Sequence, residues 1–280
     1  MTFDVAPELT QFATSVRGAM GDWAPQREPP LGDWQDDRDE ELAGRLADVG
    51  WSELWASDEL LGPVVAGAIE LGRAAAPLSL LDEPTLGAPL FVGGRARHAR
   101  GAAAVAVPRR GGGLALGTPA GEGHAEPTLD GTGTLLLDIG AAGELEPVAA
   151  AACWRAWNAA TLAYLAGLAS RALELAVEHA RSREQFGAPI ASLPAVQSRL
   201  ADAALATDAS TLLAWAATVS DVSIQDGELR WAGSACCDVT ASAQQVHGAI
   251  GFALETGLHA YYRRARATQA WAVAASDALR

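Results

Sequence analysis

Apolar residues recur at Leu162, Leu165, Ala169, Ala172 and Ala176, the three-and-four spacing that gives an α-helix one apolar face. They lie in a run over residues 147–187 that neither proline nor glycine interrupts between Val148 and Gly167. A helix over 148–185 would be about 55 Å long at about 1.5 Å per residue. One thin layer cannot cover so long a helix, so it requires long neighbours. Helical patterns over 194–220, 227–247 and 254–279 supply them, and the second half of the chain predicts an antiparallel bundle of four long helices.

Upstream the helices are shorter. Residues 7–20 predict a first helix, and Pro25, Pro29 and Pro30 make 21–34 a connector. Residues 36–49 predict a second, with Leu42, Leu46 and Val49 on one face and Gly50 to end it. Residues 59–75 predict a third, stopped by Pro77, and a short fourth begins within 82–90. The texture then changes. β-branched and alternating stretches over 103–107 and 134–139 are separated by glycines at 111–113, 117, 121, 123, 131 and 133, the pattern of short strands and turns. Roughly four strands of typical length fit there. The expectation is a mainly α protein with an N-terminal helical unit (1–100), a reduced β-unit (101–146) and a C-terminal four-helix bundle (147–280).

Composition narrows the classes. With 280 residues, half of them hydrophobic, the chain can bury a large core. A formal net charge of −14 gives the long-range field the wrong sign for nucleic acid or an anionic membrane. The most apolar windows are broken by Arg155 and Arg171, which argues for a soluble protein. Cys153, Cys236 and Cys237 are odd in number, two of them adjacent, and suit neither disulfides nor a metal site. Together with the absence of a signal-peptide pattern, they point to a reducing cytoplasm. No histidine has a cysteine or carboxylate at ligand spacing, so no metal is expected. There is no Gly-x-Ser-x-Gly elbow of a hydrolase.

Three motifs carry a resemblance. Leu46-Ala47-Asp48-Val49-Gly50-Trp51 is followed by Glu70-Leu71-Gly72-Arg73. Ser182-Arg183-Glu184-Gln185-Phe186-Gly187 closes the long run. Gln245-Val246-His247-Gly248-Ala249-Ile250-Gly251-Phe252 leads to Tyr262-Arg263-Arg264-Ala265. Together they resemble the acyl-CoA dehydrogenase family, in which an N-terminal helical domain, a β-domain and a four-helix domain hold FAD. The resemblance implies that Arg183, Phe186, Gln245 and Gly248, with Ala249 where a glycine is usual, form part of the site for the adenosine diphosphate end of FAD. A guanidinium suits a pyrophosphate, and glycine lets backbone approach closely. Arg263 to Arg266 is offered either as a phosphate contact or as a solvated helix face.

Two departures shape the functional expectation. The family's α-proton is removed by a glutamate in one of two positions. These fall on Trp157, 29 residues before Phe186 (186 − 157), and on Ala272, 20 residues after Phe252 (272 − 252). Neither side chain can accept a proton. The family's loop and strand that contact the flavin ring have no counterpart over 90–146; Asp82-Glu83-Pro84-Thr85 is similar only superficially. The pattern resembles the glutamate-lacking subunit of the α2β2 acyl-CoA dehydrogenases of steroid-degrading actinobacteria. It implies a full-length catalytic partner, FAD shared with that partner, and a bulky, steroid-derived acyl-CoA held mainly there. The alternative is a homomeric, non-redox binding or scaffolding protein, and a third reading makes Glu255 or Asp238 an unusual base. His247 is expected to pack at a helix end, and His98 and His124 to face solvent. The tryptophans at 51, 55, 154, 157, 215, 231 and 271 are expected to fill helix interfaces.

Overall fold

The computed structural model describes residues 5–21, 23, 40–54, 60–126, 128, 133–219 and 226–280. The proline-rich connector, the start of the second helix at 36–39, Trp55, Glu59, Gly131 and Ser220 lie outside the described residues.

The N-terminal helices follow the punctuation of the sequence. Helix α1 is Pro7–Met20, with proline in its first turn, where no amide partner is lost. Helix α2 is Glu40–Asp48. Gly50 turns the chain away from it at φ +82°. Helices α3 (Leu61–Arg73) and α4 (Ser79–Leu86) follow; the fourth helix thus begins three residues earlier than expected and includes Asp82. Trp51 is buried and donates its Nε1 hydrogen to the Leu80 carbonyl at 2.8 Å, tying the end of α2 to α4.

Among the described residues the β-unit has seven short strands rather than four. They are β1 (Phe91–Val92), β2 (Arg95–Arg97), β3 (Val105–Arg109), β4 (Gly113–Pro119), β5 (His124–Glu126), β6 (Thr134–Leu136) and β7 (Ile139–Glu144). Two antiparallel sheets result, ordered β1-β2-β6-β5 and β3-β4-β7. Because β1 and β2 precede residue 101, the sheets begin inside the stretch assigned to the N-terminal unit. Strands of two or three residues are too short to display alternation, and this is why they escaped notice.

Helix α5 is Pro147–Ser182, 36 residues long. A two-residue hairpin, β8 (Glu184–Gln185) with β9 (Ala188–Pro189), leads to α6 (Pro194–Ala216), α7 (Asp226–His247) and α8 (Leu258–Leu279). These four long helices are the expected bundle, and α5 is its axis, packed on α3, α6 and α7. By length and composition α5 alone among the described helices could cross a membrane, which the reading of Arg155 and Arg171 as interruptions did not anticipate. Its most apolar window is 67% buried beneath its neighbours. The crossing with α3 is close because two glycines face it. A Cβ on Gly167 would sit 2.1 Å from the Ile69 carbonyl oxygen, and one on Gly72 would sit 2.1 Å from that of Tyr164.

Candidate functional site

Trp157 points into the core and is 1% exposed. Its indole Nε1 donates to Asp82 Oδ1 at 3.0 Å. Arg97 Nε donates to Asp82 Oδ2 at 2.7 Å, Arg97 Nη2 reaches Oδ1, and the Leu90 amide donates to Oδ2 at 3.1 Å. The carboxylate and guanidinium are both enclosed, with side-chain exposures of 0% and 1%. Isolated charges would be costly to desolvate there; a bidentate pair whose acceptor also takes an indole and an amide hydrogen is the arrangement that offsets this. Arg97 lies 5.5 Å from the Trp271 ring centre, and Trp154 meets Trp157 edge-on at 5.7 Å. Ala272 is buried beside Trp271. Helices α4, α5 and α8 and strand β2 thus meet at a buried ion pair walled by tryptophans.

Sequence reasoning missed this cluster. Asp82 belonged to a motif that looked superficial, and Arg97 is an arginine in a three-residue strand. Its burial becomes visible only when the partner at 82 is brought beside it.

The second group of residues lies at the far end of α5. Arg183 follows its last residue, is exposed, and forms no ion pair among the described residues. Its carbonyl accepts from the Ile190 amide at 2.8 Å, closing the hairpin. Phe186 occupies the tip at φ +54° and is 95% exposed. Gln245 is exposed on the last turn of α7. Gly248 takes φ +66° with open space around it, and Ala249 is exposed. Gly251, by contrast, is required by packing: a Cβ there would meet the Gln244 carbonyl oxygen at 2.4 Å.

A pair of histidines joins the two motifs. His179, in the last turn of α5, stacks on His247 at the end of α7 with ring centres 4.2 Å apart and planes at 21°. His247 Nδ1 is bonded to the Ala243 carbonyl at 2.8 Å. Burial first, then His247 and Arg183, hold His179 below its ordinary pKa. Ile250, Phe252 and Leu254 are exposed large apolar residues on the segment that follows.

The other candidates divide. His124 is exposed as expected, but His98 is 1% exposed at φ +53°, because β2 turns it inward as the chain leaves the sheet. Arg264 is buried, Arg266 lies over the Tyr262 ring, and burial lowers the pKa of Arg263, so this run is no simple solvated face. Glu255 and Asp238 are exposed. Trp231 is 44% exposed and lines an open groove between α6 and α7 rather than an interface, whereas Trp51, Trp154 and Trp215 are buried.

Residues 156–272 match the family model described as acyl-CoA dehydrogenase, C-terminal domain. Over nearly its whole length the chain also superimposes on solved acyl-CoA dehydrogenases. It has the acyl-CoA dehydrogenase fold. A variant of the Tcur3481-Tcur3483 steroid ACAD aligns with TM-score 0.77 at 24% identity, covering 98% of this chain and 96% of that one. The ChsE4-ChsE5 complex from Mycobacterium tuberculosis aligns with TM-score 0.73 at 20% identity, covering 99% and 96%. In sequence, 3-sulfinopropanoyl-CoA desulfinase of Paraburkholderia xenovorans is 37% identical over 115 residues, 39% of this chain and 29% of the relative. Short-chain specific acyl-CoA dehydrogenase, mitochondrial, of Bos taurus is 34% identical over 113 residues, 37% of this chain and 26% of the relative. The chain thus matches less than a third of these relatives' length. Within the acyl-CoA dehydrogenase fold, the arginine turn and the glycine segment both belong to the C-terminal domain, and the ion pair lies where that domain meets the β-unit.

Proposed function

We propose that this chain is the auxiliary, catalytically incomplete subunit of an FAD-dependent acyl-CoA dehydrogenase. It acts in the cytoplasm as half of an α2β2 heterotetramer, and a full-length partner supplies the glutamate and most of the site for a bulky, steroid-derived acyl-CoA. The observation that carries this reading is the Trp157–Asp82–Arg97 cluster. At the first glutamate position stands an indole whose only donor is committed to Asp82, and Asp82 is itself committed to Arg97 and the Leu90 amide. Each Asp82 oxygen already accepts two hydrogen bonds, so neither is available to take a proton from a substrate.

FAD, when bound, would accept the hydride that leaves the acyl chain. What this chain offers it is a surface for the adenosine diphosphate end. Arg183 presents an exposed guanidinium, Gly248 an open left-handed turn, Gln245 an exposed amide, Ala249 a small neighbour, and Phe186 an uncovered aromatic ring. The donor set fits a dinucleotide phosphate only on a surface completed by a second chain, since four of the five residues are exposed and Gly248 is half-buried with open space beside it. The two-component names of the Tcur3481-Tcur3483 and ChsE4-ChsE5 neighbours support a mixed assembly.

The test is the visible spectrum and native mass of the chain, alone and co-expressed with a full-length dehydrogenase homologue from the same genome. A colourless single chain that becomes a yellow mixed tetramer supports the proposal. A stable, colourless homodimer that ignores the homologue favours a non-redox binding or scaffolding protein instead.

A further inference from the structure

We propose that the stacked His179–His247 pair is a proton-sensitive clasp that fixes the arginine turn and the glycine segment relative to each other. His179 is four residues before Arg183, and His247 is the last residue of α7, immediately before Gly248. The rings overlap nearly in parallel at 4.2 Å, and this is a direct side-chain link between the two motifs.

The hydrogen bonding sets the tautomer of His247. A carbonyl oxygen only accepts, so the 2.8 Å contact of His247 Nδ1 with Ala243 requires the hydrogen to be on Nδ1. Neutral His247 therefore carries its lone pair on Nε2, and an added proton makes the ring cationic. Two neutral imidazoles stack without electrostatic cost, whereas two imidazolium rings at this spacing repel.

The surroundings offer little to offset that repulsion. Among the described residues, the charges acting on His179 are His247 from α7 and Arg183 from the end of α5 itself, both of positive sign when charged. The 3-10 turn Ile190–Ser192 and the first turn of α6, residues 194–197, carry no ionisable side chain, nor does the 3-10 segment Gly248–Phe252. Beyond that segment the nearest ionisable groups along the chain are Glu255, which is exposed, and His259, which is buried at the start of α8.

Since folding depresses the His179 pKa, the stack is intact above the ordinary histidine range and weakens as the pH falls through the depressed value. Opening releases both segments from their common anchor. The consequence for flavin rests on the function proposed above: a dinucleotide phosphate held jointly by Arg183 and the 245–249 backbone would be lost over the same window.

Hydrogen exchange of the full chain tests the clasp, comparing residues 179–187 and 245–252 between about pH 7.5 and pH 5.5, on either side of the ordinary histidine pKa. After correction for intrinsic pH dependence, both segments of the wild-type protein should lose protection together, by about tenfold per unit of depression. His179→Phe, which stacks but cannot charge, should remove this response. Parallel behaviour of wild type and His179→Phe, or loosening of one segment without the other, would overturn the clasp. If the phenylalanine variant does not fold, NMR titration of the two wild-type rings decides, and independent titration at ordinary values overturns the proposal. Flavin content of the co-expressed complex across the same range is the second measurement. A yellow complex with identical pH profiles in wild type and variant denies the clasp its role. A complex colourless at every pH defeats the flavin reading, with exchange still judging the clasp.

Discussion

At residue scale the chain separates groups that are present from groups that are available. Asp82 is a carboxylate within hydrogen-bonding reach of the first glutamate position, yet its oxygens are fully engaged. Removing one partner of a buried pair strands the other charge, so Arg97→Met should destabilise the fold by about 3–5 kcal/mol in urea unfolding. Trp157→Phe should cost about 1–3 kcal/mol through the lost indole donor. Trp157→Glu puts a carboxylate where the resemblance places the family's base but sets it against Asp82 in a closed core; it should destabilise the chain and give no dehydrogenation by the chain alone, measured as dye reduction with an acyl-CoA. Arg183→Ala is the converse case. Exposed and without an ion pair, Arg183 contributes little to folding. Its loss should lower the flavin content of the co-expressed complex by about an order of magnitude, as expected for one charge-assisted phosphate contact, while native mass is unchanged. Normal flavin content in an intact complex would remove Arg183 from the site.

At element scale the fold depends on how closely α3 and α5 approach. Gly72 and Gly167 let backbone meet backbone, and a methyl group at either position must push two helices apart. Gly167→Ala should cost at least 1–3 kcal/mol, the range for overpacking a core, seen as a lowered melting temperature. Gly18→Ala in α1, where a Cβ would meet nothing within 4 Å, should instead stabilise by roughly 0.5–1 kcal/mol. The long helices were legible in the sequence because their signals are local and redundant. Pro147 and Pro194 begin two of them, and α5 repeats its spacing over many turns. Among the strands, β3 and β6 begin within the stretches 103–107 and 134–139 read as strands, whereas β1, β2 and β5 were not legible, since they have two or three residues and their identity comes from pairing. His98 and Trp231 were misjudged for a related reason: exposure is set by the neighbour that arrives or fails to arrive. Arg183 and Gly248 could be singled out by resemblance, whereas the Arg97–Asp82 pair depends on tertiary contact between residues that look unrelated in sequence.

At the scale of the whole molecule, function is divided between a sealed interior and an uncovered end. Four of the exposed large apolar residues, Phe186, Ile250, Phe252 and Leu254, lie on or beside the two motifs that the histidine stack joins. Exposed apolar groups concentrated in this way favour association, and strongly acidic chains still associate when the apolar surface is local. The proposed mixed assembly should therefore persist at high salt, where surface ion pairs are screened, and dissociate in mild denaturant; native mass at about 1 M salt, with its Debye length near 3 Å, is the check. Loss of the tetramer in salt would argue for an electrostatic contact elsewhere.

The enclosed pair also bears on how the chain is made. Asp82 and Arg97 leave the ribosome early, Trp157 later, and Trp271, on α8, 174 positions after Arg97 (271 − 97). Until α8 docks, the guanidinium has lost its water on one side without gaining the ring that covers it on the other. The seam therefore stays unfinished until α8 has emerged and docked. Long-range closure of this kind is slow. A nascent chain cut short before α8 would expose the charged seam and the tryptophans around it together, giving quality-control proteases a clear mark by which to recognise an incomplete copy.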